Sequence, residues 1–122
     1  MAENEFVFII THSHDAPERA AGALQLATNL IAFDGNVDFF LMNEGVHIAR
    51  KGYAETITWQ KGFSPLHELI ATLTEEMGAK FYVCASCVEP YGLVGKELID
   101  GAEVKPGSYL GELMMERKVA TF

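Results

Sequence analysis

The run "FVFII", Phe6 to Ile10, constrains this chain more than any other stretch. Apolar residues with no polar alternation leave neither face for water. Such a run suits a central strand covered on both sides, the situation of a parallel sheet. The rest of the chain repeats the alternation that a parallel sheet needs. After the polar loop "THSHDAPER", the residues Ala16, Ala20, Ala23, Leu24, Ala27, Leu30 and Ile31 recur at helical period, and "FDGN" stops them. Ser13 or Asp15 is the expected N-cap, and Asp15 with Glu18 has capping-box spacing. "VDFFLM", Val37 to Met42, is a second strand, and "NEGVHIARKG" a short helical turn beyond it. "YAETITWQKGF" is expected to be loop with short extended pieces. Ser64 as N-cap with Pro65 at the first helical position opens a second helix bearing Leu66, Leu69, Ile70, Leu73 and Met77, closed by Gly78. "AKFYVC" is a third strand and "ASCVEPYG" a turn or short helix. "GAEVKPG" supplies a short fourth strand. Ser108 caps a helix with Leu110, Leu113 and Met114, and "KVATF" is a last strand.

Strands alternating with helices imply βαβ crossovers. The expected fold is α/β, a three-layer α/β/α arrangement with a mostly parallel sheet of about five strands. With 122 residues the chain is expected to be a single domain, 1–122. In such sheets the sites gather where loops leave the C-terminal ends of strands. "THSHD", "NEGV" and "CASC" all leave on that side.

Composition narrows the function. Nine Lys and Arg against seventeen Asp and Glu give a formal charge of −8. This lacks the basic footprint of direct nucleic-acid binding. The N-terminal "MAENEFVFII" carries acids where a signal peptide is basic, and no apolar run approaches the ~20 residues that cross a bilayer. The chain reads as cytoplasmic, without a membrane partner, where thiols are kept reduced and a purely structural disulfide is improbable.

The only two cysteines, Cys84 and Cys87, stand at C-x-x-C spacing at the end of the third strand. Backbone N–H groups at a helix N-terminus favour an anion, so a thiolate placed there has a lowered pKa and attacks sulfur. The competing reading is a small buried apolar residue. Zinc requires four ligands, and no second cysteine pair exists; His12 and His14 would have to complete the set. A thioredoxin-like redox pair also follows a strand and opens a helix, but "VCASCV" lacks the Trp-Cys-Gly-Pro context. No Walker loop, G-x-G-x-x-G or G-x-S-x-G occurs. No cofactor or metal is called for. His47 and His67 are expected at the surface or capping helices, Trp59 in packing or an interface, and Glu44 solvated at a strand end.

The string "FYVCASCVEPYGLVGKELIDGAEVKPGSYLGELMMERKVATF" resembles the DsrE/TusD-type sulfur-relay family (DsrE/DsrF-like), especially its YchN-like homo-oligomeric branch. The shared features are a strand ending in Cys-x-x-Cys, a Gly-Leu step, "IDG-x-E-V", a Leu-rich helix and a terminal "K-V-x-T-F" strand. The opening strand, its Ala-rich helix and "FFLMNEGV" fit as well. The likeness thus spans nearly the whole chain and is weakest over Val46 to Phe63.

The resemblance implies a small cytoplasmic subunit assembled as a homotrimer or homohexamer. It implies a sulfane sulfur held as a persulfide on Cys84, with Cys87 as helper, passed between donor and acceptor proteins. Many relatives have Arg before the glycine where this chain has Tyr91-Gly92, so a cation that would steady a thiolate is missing there. The loop after the first strand also departs from the Gly-rich version of some relatives. His12, His14, Glu44 and Tyr91 are pocket candidates. A thiol–disulfide redox protein and a non-catalytic scaffold subunit of a sulfur-relay complex remain the alternatives.

Overall fold

The computed structural model describes residues 4–59 and 64–122. Five strands, β1 (Glu5–Ile10), β2 (Asn36–Leu41), β3 (Phe81–Cys84), β4 (Glu103–Lys105) and β5 (Lys118–Thr121), form one sheet in the order β4-β3-β2-β1-β5. Every pairing is parallel. β1 therefore lies between β2 and β5, and its last four residues are buried, as the unbroken apolar run requires.

The order fixes where the helices lie. From β1 to β4 the chain steps one way along the sheet, and only the return from β4 to β5 crosses back over β3, β2 and β1. Right-handed crossovers then place α1 (Pro17–Ala32) and α2 (Leu66–Ala71) on one face and α4 (Gly107–Glu116) on the other. On the first face, Phe8, Phe39 and Phe81 form a ladder, with Phe39 and Phe81 stacked at 4.5 Å. On the second, Tyr109 of α4 meets Tyr82 of β3 edge-on at 5.0 Å and donates to its hydroxyl.

The start of β2 carries a buried ion pair on that second face. Asp38 accepts the N–H of Lys80 at 2.9 Å, and its other oxygen faces the Arg117 guanidinium at 3.2 Å. Arg117 also donates to the carbonyl of Phe6. Each buried polar group here has a partner, the condition for its stability.

The caps differ from those the sequence predicts. Ala16 is the N-cap of α1 and makes no side-chain bond; the Asp15 carboxylate turns back to the N–H of Ser13 and to His12, so the capping box does not form. Pro17 opens that helix instead, its fixed φ already helical. Pro65, not Ser64, is the N-cap of α2, and Pro106, not Ser108, that of α4; Ser108 lies within its first turn. α2 does not run unbroken to Gly78. It passes into a π-helical turn, Thr72–Glu76, where the Thr74 hydroxyl donates to the Ile70 carbonyl and competes with the helix ladder. Gly78 ends it with φ +72°. The "YAETITWQKGF" stretch contains a 3-10 turn, Ala54–Thr56, and its residues 60–63 lie outside the described residues.

Candidate thiol site at the C-terminal edge of the sheet

Three connections leave the sheet on the side expected. The segment after β2 is a 3-10 stretch, Asn43–Ala49, and glycine is what lets it sit there. A Cβ on Gly45 would lie 2.0 Å from the Ile10 carbonyl oxygen, so only glycine allows this segment to rest on the end of β1. Asn43, at φ +53°, begins it and aims its N–H at Cys87 Sγ, 3.3 Å away.

The strand β3 ends at Cys84, which is the N-cap of the single turn α3 (Ala85–Val88). Cys84 Sγ shares a hydrogen bond with Ser86 Oγ at 3.2 Å. Both thiols are free and buried, Cys84 at 2 % exposure and Cys87 at 7 %. Burial pushes the Cys87 thiol pKa up; the Asn43 N–H works against that, and Cys84 beside it adds to it. At Cys87, desolvation overrides the lowering expected at a helix N-terminus. α3 is one turn long, and a macrodipole needs more aligned peptides than that.

A second cluster flanks the thiols. His47 is buried at 9 %, not at the surface as its sequence context suggests. Its ring stacks on Tyr53 at 5.1 Å, meets Tyr91 edge-on at 6.2 Å and lies 6.2 Å from the His14 ring. The Arg50 guanidinium sits 3.4 Å from His47 Nδ1 and 4.9 Å above Tyr53, and Glu44 approaches His47 Nε2 at 3.8 Å. Burial lowers the His47 pKa; Glu44 partly offsets this and Arg50 adds to it. His14 Nδ1 is hydrogen-bonded to the Tyr53 hydroxyl, whose pKa burial raises. Burial opposes ionisation at Asp15, yet His12 and the Ser13 N–H outweigh it and hold the carboxyl below its usual value.

Of the pocket candidates, His14, Glu44 and Tyr91 meet around His47, while His12 is occupied by Asp15 at 2.7 Å. Tyr91 is also the link to the thiols, since its N–H donates to the Cys87 carbonyl. Tyr53 was not legible as a site residue, nor was the burial of His47. The aromatic spacing gave no signal, because the contacts join segments far apart in sequence. Among the described residues no group of three or more His, Cys, Asp or Glu is arranged to hold a metal. A cleft of about 440 Å³ lies elsewhere, between α2 and the loops at Lys51 and Asp100, and neither cysteine lines it. None of the described helices is long and apolar enough to cross a membrane.

Comparison with known proteins gives the family and the fold. The description of the DsrE/DsrF-like family matches residues 4–118. An uncharacterized protein of Methanocaldococcus jannaschii, MJ0989, is 30% identical over 102 residues, 82% of each chain. The crystal structure of the ychN protein from E. coli superposes with a TM-score of 0.79 at 20% identity, covering 99% of this chain and 100% of that one. The structure of a protein of unknown function from Methanobacterium thermoautotrophicum, MTH1491, gives 0.71 at 18% identity, covering 98% and 100%. At these identities the two structures speak for the fold alone.

Proposed function

The chain belongs to the DsrE/DsrF-like family, and on that premise we propose that it is a cytoplasmic sulfur carrier using Cys84. The observation that carries the proposal is the placement of Cys84 at the C-terminal end of β3, hydrogen-bonded to Ser86 and adjoining Cys87. A thiolate at Cys84 attacks the outer sulfur of a donor persulfide, R–S–SH. The donor S–S bond breaks, RS⁻ leaves, and Cys84 holds S–SH. An acceptor thiolate then takes the outer sulfur by the same step and returns Cys84 to its thiolate. No net oxidant is needed. Cys87 has a second use: as thiolate it attacks Cys84 Sγ, expels HS⁻ and leaves a disulfide. Its raised pKa keeps that discharge slow near neutral pH, which protects the cargo.

The working unit in this proposal is a homotrimer or homohexamer that meets separate donor and acceptor proteins. Large apolar side chains left in water support it, notably Phe33 at 80 % and Met115 at 85 % exposure.

Intact mass after incubation with a low-molecular-weight persulfide tests the chemistry. Wild type and Cys87→Ser are expected to gain one reducible sulfur, and Cys84→Ser none. A gain that persists in Cys84→Ser would remove the proposal. Native mass spectrometry of the same samples reads trimer or hexamer, and a monomer would refute the assembly.

A scaffold role without sulfur transfer is the second reading, favoured by the burial of both thiols. It requires that both alkylate slowly in the folded protein and that wild type gains no sulfur. The third, a thiol–disulfide redox protein, requires a Cys84–Cys87 potential within the range the cytosol can oxidise.

A further inference from the structure

We propose that Lys105 is the cation that serves the anionic sulfur of Cys84. This rests on the reading of Cys84 above and supplies the charge absent at Tyr91. In the pairing of β3 with β4, Cys84 and Lys105 are register partners. Side chains at one level of a parallel pair point to the same face, with strands roughly 4.8 Å apart. That face is the α4 face, because Tyr82, two residues before Cys84, meets Tyr109 there. Lys105 thus rises from the strand beside Cys84, on its side of the sheet.

Its ammonium is held by two neighbours on the same face. Lys105 Nζ lies 3.7 Å from Glu103 Oε1 and 4.8 Å above the Tyr109 ring, with its side chain about one-third exposed. Glu103 is the register partner of Tyr82, so its carboxylate parks the ammonium one step back along the strand from Cys84. A flexible four-carbon stem lets the ammonium exchange that partner for a thiolate or persulfide. The other titratable or charged groups on the elements around Cys84 are few. α3 offers only Cys87, the first turn of α4 only Tyr109, β3 Tyr82, β2 Asp38, which is paired with Arg117, and the segment after β2 Glu44 and His47, with Arg50 as its C-cap. Burial lowers the His47 pKa, and its ring is engaged with Tyr53 and Arg50. Arg50 is held against His47 and Tyr53, which leaves Lys105, on the strand next to Cys84, as the permanent cation with a flexible hold.

Lys105 acts here as a positioning and charge-stabilising residue. When a thiolate forms, when RS⁻ leaves and when the carrier thiolate is regenerated, negative charge at the end of β3 is met from the adjacent strand. The partly exposed edge position also leaves the interaction open to salt.

The test measures iodoacetamide alkylation of Cys84 against pH in the Cys87→Ser background, with persulfide loading in parallel. Lys105→Met is expected to slow alkylation at pH 7 by about three- to tenfold and to move the rate–pH curve to higher pH. Lys105→Arg restores the wild-type curve. Glu103→Gln, which releases the ammonium, speeds alkylation by about two- to threefold, and the gain vanishes when Lys105→Met is added, an outcome that removal of a carboxylate alone would not give. Added salt slows wild type and leaves Lys105→Met unchanged. Equal curves for all these proteins overturn the inference. Alkylation needs no persulfide, so this outcome is separate from the failure of wild type to take up sulfur, which sinks the carrier reading instead.

Discussion

Replacing Gly45 by alanine probes the joint that holds the thiol site to the sheet. The added Cβ would lie 2.0 Å from the Ile10 carbonyl oxygen and 2.7 Å from its carbon, both backbone atoms that cannot swing aside. Ordinary contact begins near 3.4 Å, so the 3-10 stretch must retreat by about 1.4 Å. That retreat breaks the hydrogen bond from the Met42 N–H to the same carbonyl, now 3.0 Å, at a cost of about 1 kcal/mol. It also lifts the fully buried Val46 and Ile48 out of register with their neighbours, worth about 1–3 kcal/mol. The sum, about 2–4 kcal/mol, corresponds to a Tm lower by on the order of 10 °C for a domain of this size. Thermal unfolding followed by circular dichroism measures it. Gly22→Ala is the matched control: in the middle of α1, with nothing within 4 Å of the new Cβ, it is expected to gain about 0.5–1 kcal/mol. Because Asn43 rides on the same segment, Gly45→Ala should also expose Cys87 to faster alkylation. A Gly45→Ala protein that melts within about 2 °C of wild type would refute the reasoning.

Two further outcomes follow from the buried polar groups. His47 has a folded pKa depressed below 6.5, so its contribution to stability is full above pH 6.5 and is lost as pH falls through the folded value. His47→Phe, which keeps a ring against Tyr53, should flatten the fall of Tm between pH 6.5 and 5; equal slopes in both proteins would contradict this. Asp38→Asn leaves the Arg117 guanidinium, 15% exposed, with only the more distant Glu5 carboxylate at 3.9 Å. It should lower stability by about 2–3 kcal/mol, less than a fully orphaned charge because Arg117 also reaches the Phe6 carbonyl. Urea unfolding with an unchanged m-value checks it, and Arg117→Met in the same chain should recover part of the loss.

The order of elements was legible because each carries its own period. "FVFII" has no polar position to turn outward, and the Ala-rich α1 shows its buried stripe in Ala20, Ala23, Leu24 and Ala27. The helix starts were not, since capping is a local contest. Asp15 had two rival donors within three residues, and Pro65 and Pro106 each took the N-cap position. The two cysteines announced themselves by spacing and by the strand they end. The His47 cluster did not, because it depends on a glycine packed on a distant carbonyl and on Tyr53 and Tyr91 folding back from separate loops. Lys105 stood in a segment rightly expected to be a strand, but only the register with β3 sets it beside Cys84.

The single long return from β4 to β5 has a consequence for how the chain comes into being. β1 is made before every other strand of the sheet, yet one of its two partners is made ~110 residues later, when Lys118 pairs with Phe6. At about 5–20 residues per second on the ribosome, that flank of the most apolar strand stays bare for on the order of 5–20 s. During this interval β1, β2 and β3 can already associate, bringing both cysteines and the His47 cluster together while the sheet has an open, sticky border. The nascent protein therefore passes through a stage in which its chemistry is assembled before its protection is. A holdase or a second nascent chain has its best opportunity there, along Phe6 to Ile10.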